Sequence, residues 1–184
     1  MGKKRVFIAI DGSNFYHKLK SKEIGLVHLS DFDYKKFALW LAKKNRISEY
    51  IYYIGQIREE RGNKKSLILK RDQDRLLAYL RNQDFIVKTG YILKSDGSYH
   101  EKGVDVQIAV DICMKAVRNE YDCLVLVSSD TDLIPAIKEV RQQGKYVEYV
   151  GFDFNPSFAM IRFSNSRTLL KKEDLTPFAK KRKK

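Results

Sequence analysis

One stretch constrains this chain more than any other: Leu124-Val125-Leu126-Val127-Ser128-Ser129-Asp130-Thr131-Asp132. A short, uninterrupted apolar run bounded by polar segments reads as a strand buried on both faces, the kind found inside a parallel sheet. The run stops in two hydroxyls and two carboxylates, and helical spacing follows from Leu133 to Gln143. The polar groups therefore fall at a strand-to-helix junction on the carboxyl edge of a sheet, where open α/β folds bind ligands. A helix start accounts for part of this, because Ser, Asp and Thr are good N-caps and an acid in the first turn complements the helix dipole. Capping explains one or two of the four residues and leaves the rest.

A second strand of the same kind, Val6-Phe7-Ile8-Ala9-Ile10, also ends in an acid, Asp11. Gly12 permits a sharp bend, and Ser13 or Asn14 can cap a turn of helix running through Leu19. Further strands are expected at Tyr50 to Ile54, at Tyr146 to Gly151 and, at an edge, at Thr168 to Leu170. Phe85 to Val87 and Tyr91 to Leu93 read as two short extended pieces separated by Thr89-Gly90, with a hairpin turn at Asp96-Gly97. Helical spacing covers Tyr34 to Lys44, capped by Asp31 or Asp33, and Ser66 to Asn82, with Leu69, Leu76, Leu77 and Leu80 toward the core. A short helix is expected over Asn155 to Phe163, and Arg58 to Lys65 reads as a charged loop. The alternation of strands and helices predicts right-handed crossovers and one mainly parallel sheet with helices on both faces.

The helix from Val104 to Arg118 separates two acids. Gln107, Asp111, Lys115 and Arg118 form a polar stripe, in which Asp111 can pair with Lys115 at i,i+4 and needs no functional explanation. Asp105 has Ile108, Ala109 and Ile112 at i+3, i+4 and i+7, which sets its carboxylate over the apolar face. A charge there is costly unless it is paired, capping or bound to a cation.

At 184 residues the chain is long enough for one domain with a real core, and residues 1–178 are read as that domain. No run of 18 apolar residues and no signal pattern is present, so a soluble, cytoplasmic protein with no membrane partner is expected. Cys113 and Cys123 lie among apolar residues and read as free buried thiols, and His17, His28 and His100 lack ligand spacing. The formal charge of +13 favours a polyanionic partner. Residues 179–184 are expected to form a disordered basic tail that supplies five of those charges, and +8 remains without it.

If the strands from Val6 and Leu124 are neighbours, Asp11, Asp130 and Asp132 meet at one edge, and the helix starting near Val104 can add Asp105. Like charges about 4 Å apart repel by roughly 1 kcal/mol in water and about 4 kcal/mol at an effective dielectric of 20. A divalent cation resolves that conflict, and Mg²⁺ or Mn²⁺, as one or two ions, suits a site of Asp without Cys or His. Asn14 is placed to position a phosphate or a water, Ser128 or Ser129 to orient a carboxylate, and Lys102 to offset charge developing on phosphorus.

Three blocks carry a resemblance. Asp11-Gly12-Ser13-Asn14, Lys102-Gly103-Val104-Asp105-Val106 and Ser128-Ser129-Asp130-Thr131-Asp132-Leu133 resemble, in order, the signature blocks of NYN-domain proteins, a branch of the PIN-like nuclease superfamily. The resemblance spans about residues 5 to 152. It implies a three-layer α/β/α sandwich around a central parallel sheet, a divalent-metal site built from acids, and ribonuclease or related nuclease activity, with RNA favoured over DNA. On that likeness Asp11, Asp105, Asp130 and Asp132 are the metal-binding and catalytic acids, with Asn14 and Ser129 in support. Two rivals stand beside an endoribonuclease: a nucleic-acid-binding regulator with little turnover, and a small-molecule phosphohydrolase with Asp11 as nucleophile. The Asp-x-Asp pattern common to the latter is broken by Ser13. A homodimer is compatible with a domain of this size, although no stretch marks its surface.

Overall fold

The structure is a computed structural model that describes residues 2–25, 31–57, 59, 62–95 and 98–179; of residues 91–95 and 98–101 it describes the backbone alone. Among the described residues seven strands form one sheet: β1 (Arg5–Asp11), β2 (Arg46–Gln56), β3 (Ile86–Ser95), β4 (Ser98–Lys102), β5 (Cys123–Val127), β6 (Tyr146–Phe152) and β7 (Ser166–Leu170). Their order is β4-β3-β2-β1-β5-β6-β7, parallel throughout except for β4, which pairs antiparallel with β3 along one edge. The helices are α1 (Gly12–Leu19), α2 (Tyr34–Leu41), α3 (Lys64–Arg81), α4 (Val104–Val117), α5 (Ile134–Gln142), α6 (Phe158–Phe163) and α7 (Lys172–Leu175).

Alternation along the central strands builds the two cores. Val6, Ile8, Ile10, Val125 and Val127 face one layer, where they meet Phe15, Phe37, Leu76 and Leu80 of α1, α2 and α3. Phe7, Ala9, Leu124 and Leu126 face the other, against Ile108, Ile112, Ile137 and Met160 of α4, α5 and α6. Strands covered on both sides must be apolar at every position, which is why the two runs read as continuous. The expected three-layer α/β/α sandwich with a mainly parallel sheet is the observed fold.

The chain builds the sheet outward from β1 through β2 and β3, then returns through α4 to β5 and builds the other way through β6 and β7. The direction of construction reverses between β1 and β5. In open α/β sheets the crevice at that reversal is the ligand site.

Several local expectations change. β3 is one strand, not two pieces, because Gly90 continues it: a Cβ there would come within 2.6 Å of the Lys102 carbonyl oxygen and the Val104 side chain. The hairpin joins Ser95 to Ser98, while Asp96 and Gly97 themselves lie outside the described residues. Helix α3 starts at Lys64, capped by Asn63, so the charged loop is shorter than expected; Arg58, Glu60 and Arg61 of that loop lie outside the described residues, as does His28. Leu69 is 44% exposed, whereas Ser66 and Gln73 are buried, Gln73 holding the Ile57 amide and the Gly55 carbonyl at 2.7 and 2.8 Å. A 3₁₀ turn, Thr131–Leu133, precedes α5, and Pro135 sits in the first turn of α5, where its missing N–H costs nothing.

The carboxyl-terminal segment fastens onto α2. Asp33 donates its backbone N–H to the Phe178 carbonyl at 2.7 Å, Phe32 bridges Ala179, and the Phe178 ring lies 5.4 Å from Phe37 and 5.8 Å from Trp40. Residues 180–184 of the basic tail lie outside the described residues.

Candidate active site

The register Ile10↔Val127 brings Asp11 and Ser128 side by side where β1 and β5 end. Asp11 is 4% exposed and is itself the N-cap of α1, accepting from the Asn14 backbone N–H at 3.0 Å; the expected caps, Ser13 and Asn14, lie within the helix. Ser128, 2% exposed, donates its hydroxyl to the other Asp11 oxygen at 2.7 Å and accepts the Asp130 backbone N–H at 3.1 Å. One hydroxyl thus ties the two acid-bearing segments together. Asn14 Oδ1 accepts the Ser129 N–H at 3.3 Å, closing a second link across the same gap.

Gly12 is required by proximity. A Cβ at this position would sit 2.3 Å from the Tyr52 ring and 2.5 Å from the Tyr53 carbonyl oxygen, and the Tyr52 hydroxyl donates to the Gly12 carbonyl at 3.2 Å. α1 is thereby held against β2, and with it the carboxylate of Asp11.

Asp130 caps the 3₁₀ turn, its Oδ1 accepting the Asp132 N–H at 2.9 Å. Among the described residues its Oδ2 accepts nothing, and neither the Asp132 carboxylate nor the Lys102 ammonium makes a bond; Asp132 and Lys102 are exposed. The two amide N–H donors of the Asn14 side chain are likewise uncommitted among the described residues. A ligand at this edge would meet acceptors and donors that the fold has left open.

The Lys102–Val106 block differs from expectation. α4 starts after Gly103, whose φ of 82° is left-handed and suits glycine, and no side chain caps it. Asp105 lies exposed in the first turn, so its carboxylate is neither buried over the apolar face nor a helix cap. α4 packs against the 3₁₀ turn that carries Asp132, which is how the fold brings the block to the same edge.

Asp111 also departs from its expected pairing. It is buried at 8% exposure and accepts from Lys88 Nζ at 2.7 and 2.8 Å, from the Tyr53 hydroxyl at 2.9 Å and from Gln107 Nε2 at 3.0 Å. Burial first, and Asp111 second, push the Tyr53 hydroxyl far above its ordinary range, so it remains a donor. Lys115 turns instead to Glu49 and Glu120. The stripe that looks solvent-facing on a helical wheel lies partly against β2 and β3. Asp111 is committed to Lys88, Tyr53 and Gln107 in place of the i,i+4 pair with Lys115.

Tyr149 is the supporting residue that the sequence reading missed. Its hydroxyl lies 2.9 Å from Ser129 Oγ and accepts the Ser157 N–H at 3.1 Å, locking the turn after β5 to β6 and α6. Gly151, two residues on and on the same strand face, makes room: a Cβ there would lie 2.0 Å from that hydroxyl. A tyrosine two residues before a glycine within an apolar strand was the available signal.

The donor set is all oxygen, carboxylate and hydroxyl, which suits a hard divalent cation. Among the described residues no three Asp, Glu, His or Cys side chains gather into a ready-made ligand group. Mg²⁺ does not need one, because it commonly binds one or two carboxylates and completes its shell with water and substrate phosphate. Asp11 and Asp130, joined through Ser128, fit that requirement.

Sheet order, switch point and acidic edge together define a PIN-like α/β/α domain. The NYN domain model matches residues 5–168, and the chain belongs to the NYN domain family, within the PIN-like superfamily. No curated protein matches the chain. Among solved structures it is similar to the crystal structure of a protein of unknown function from Vibrio parahaemolyticus, 24% identical, with 94% of this chain and 96% of that one covered and a TM-score of 0.68. That likeness is one of fold. Among the described residues no helix is long and apolar enough to cross a membrane.

Proposed function

We propose that the protein is a divalent-metal-dependent endoribonuclease whose chemistry takes place at the carboxyl edge between β1 and β5. The observation that carries this reading is the single Ser128 hydroxyl that bonds Asp11 and the Asp130 amide at the topological switch point. Asp11 and Asp130 would hold Mg²⁺ or Mn²⁺, with Asp105 and Asp132 at its outer margin. When bound, such an ion supplies charge neutralisation at the phosphate and acidifies a water.

The chain's own residues do the rest. Ser128 and the Asn14 amide each hold one oxygen of the Asp11 carboxylate, so the acid is oriented before a ligand arrives. The uncommitted Asn14 side-chain N–H groups donate to a phosphate oxygen and hold the scissile diester over the acids. Lys102, at the end of β4, offsets charge developing on phosphorus. Tyr149 holds Ser129 and the turn in register.

A nucleic-acid-binding regulator with little turnover is the second reading, favoured by the exposure of Asp105 and Asp132 and by the absence, among the described residues, of a gathered three-acid group. Cleavage of labelled single-stranded and structured RNA and matched DNA, with Mn²⁺, Mg²⁺ or EDTA, decides between the two. Metal-dependent RNA cleavage by the wild type, lost in Asp130→Asn, supports the nuclease. Salt-sensitive binding by both proteins with cleavage by neither selects the regulator.

A further inference from the structure

At the amino edge of the sheet, opposite the acids, lies an open cavity of about 730 Å³. Lys4, Lys138, Arg141, Lys145, Tyr146 and Asn165 line it. Among the described residues none of the four cations bonds a carboxylate. The Lys4 ammonium lies 5.3 Å from the Tyr146 ring centroid and that of Lys138 lies 4.5 Å from Phe163, while Arg141 donates to the Phe163 carbonyl at 2.8 Å and Lys145 to Asn119 Oδ1 at 2.5 Å. The acid on the wall, Asp122, is engaged by Arg5 through its backbone N–H at 2.8 Å and its guanidinium at 2.7 Å. A positive groove therefore remains after its acid is matched.

The helix dipole explains part of this charge, since α5 ends here and its last carbonyls favour Arg141 and Lys145. Lys4 precedes β1 and Lys138 lies before the last turn of α5, so the dipole does not account for them. Cations held on neutral partners keep their charge for a polyanion, and neutralising its phosphates releases the counterions condensed on the nucleic acid, which drives binding. Tyr146, 38% exposed, adds a ring on which a base can stack.

We propose that this groove binds the phosphodiester backbone of a single-stranded nucleic acid, as an anchor remote from the acids. β1 runs six steps from Arg5 to Asp11, so the two ends lie about 20 Å apart at ~3.3 Å per residue. The anchor rests on the reading that the protein acts on nucleic acid, and adds where the strand is held.

The test measures the affinity of the whole protein for a labelled 20-nucleotide single-stranded RNA, in EDTA, over a range of salt concentrations. Wild type is compared with K4A/K138A/K145A and with R81A/R167A/K172A, which removes three exposed cations elsewhere; thermal melts confirm folding of all three. The groove variant should bind about tenfold more weakly, and its slope of log K against log salt should fall by about 2, near 0.7 per lost phosphate contact. The control variant should keep the wild-type slope. A wild-type slope in the groove variant, or an equal loss in the control, overturns the anchor. Cleavage is not read, so failure of the catalytic reading leaves this result standing. Absence of RNA binding by the wild type overturns the anchor and the nucleic-acid reading together.

Discussion

The two ends of the central strands share one backbone and carry opposite chemistry. At the carboxyl end, helices begin: Asp11 caps α1 and Asp130 caps the 3₁₀ turn before α5, so amide N–H groups and the positive ends of dipoles hold carboxylates in place. At the amino end helices stop, and Lys and Arg gather where carbonyls are exposed. Parallel strands with crossover helices impose this polarity on any sequence. What this sequence adds is excess at both ends: more acids above, and more cations below, than capping and dipoles use.

The most damaging change to that contrast is expected from Asp130→Asn. Asn caps nearly as well as Asp, so melting should shift little, while metal-dependent cleavage should fall at least about a hundredfold, the scale of losing one preorganised electrostatic group. A folded variant with full activity would remove the chemistry from the carboxyl edge.

An acid that belongs to neither end sharpens the comparison next. Asp111→Ala strands the Tyr53 hydroxyl and the Lys88 ammonium, and should lower stability by about 2–4 kcal/mol in urea unfolding. If it cost nothing, buried pairing would not distinguish structural from functional acids here. Gly12→Ala should cost about 1–3 kcal/mol, because a methyl group meets Tyr52 and the Tyr53 carbonyl and pushes Asp11 out of register. Unchanged stability and activity would separate Gly12 from the positioning of Asp11.

The smallest effect belongs to the amino edge. Hydrogen bonds from Arg5 hold the Asp122 carboxyl down at about 2, below the ordinary value of about 3.9. Its stabilisation is therefore complete above about pH 4 and is lost as pH falls toward 2. Both side chains are more than a third exposed, so solvent screening keeps the contribution small. Arg5→Ala should flatten that part of the stability profile between pH 4 and 2, and an unchanged acid limb would deny the pair its role.

Much of this was legible in order and spacing. Two continuous apolar runs ending in acids are the signature of strands buried on both faces, whereas their adjacency stood only as a condition, because a parallel architecture does not fix strand order. The pairing of Asp111 was not legible, since a helical wheel shows which residues share a stripe but not where the sheet lies beneath it. Lys88, its ion-pair partner, comes from a strand 23 residues earlier. Asp105 misled for a related reason: spacing sets it beside Ile108 and Ile112, but in the first turn of α4 Val104 is buried and Asp105 is exposed. Leu69 failed likewise, sharing a face with Leu76 and Leu80 but lying in the first half of α3 beside exposed Leu67 and Ile68. The roles of Gly90, Gly12 and Gly151 depend on what approaches them, which no single sequence records.

The fastening of the chain's end onto α2 has an optical consequence. Trp40 is the sole tryptophan among eleven tyrosines, and it packs against both the Phe37 and Phe178 rings while remaining 42% exposed. Its emission is a label-free gauge of whether the carboxyl-terminal segment is seated, readable during titration, heating or stopped-flow mixing without altering a residue.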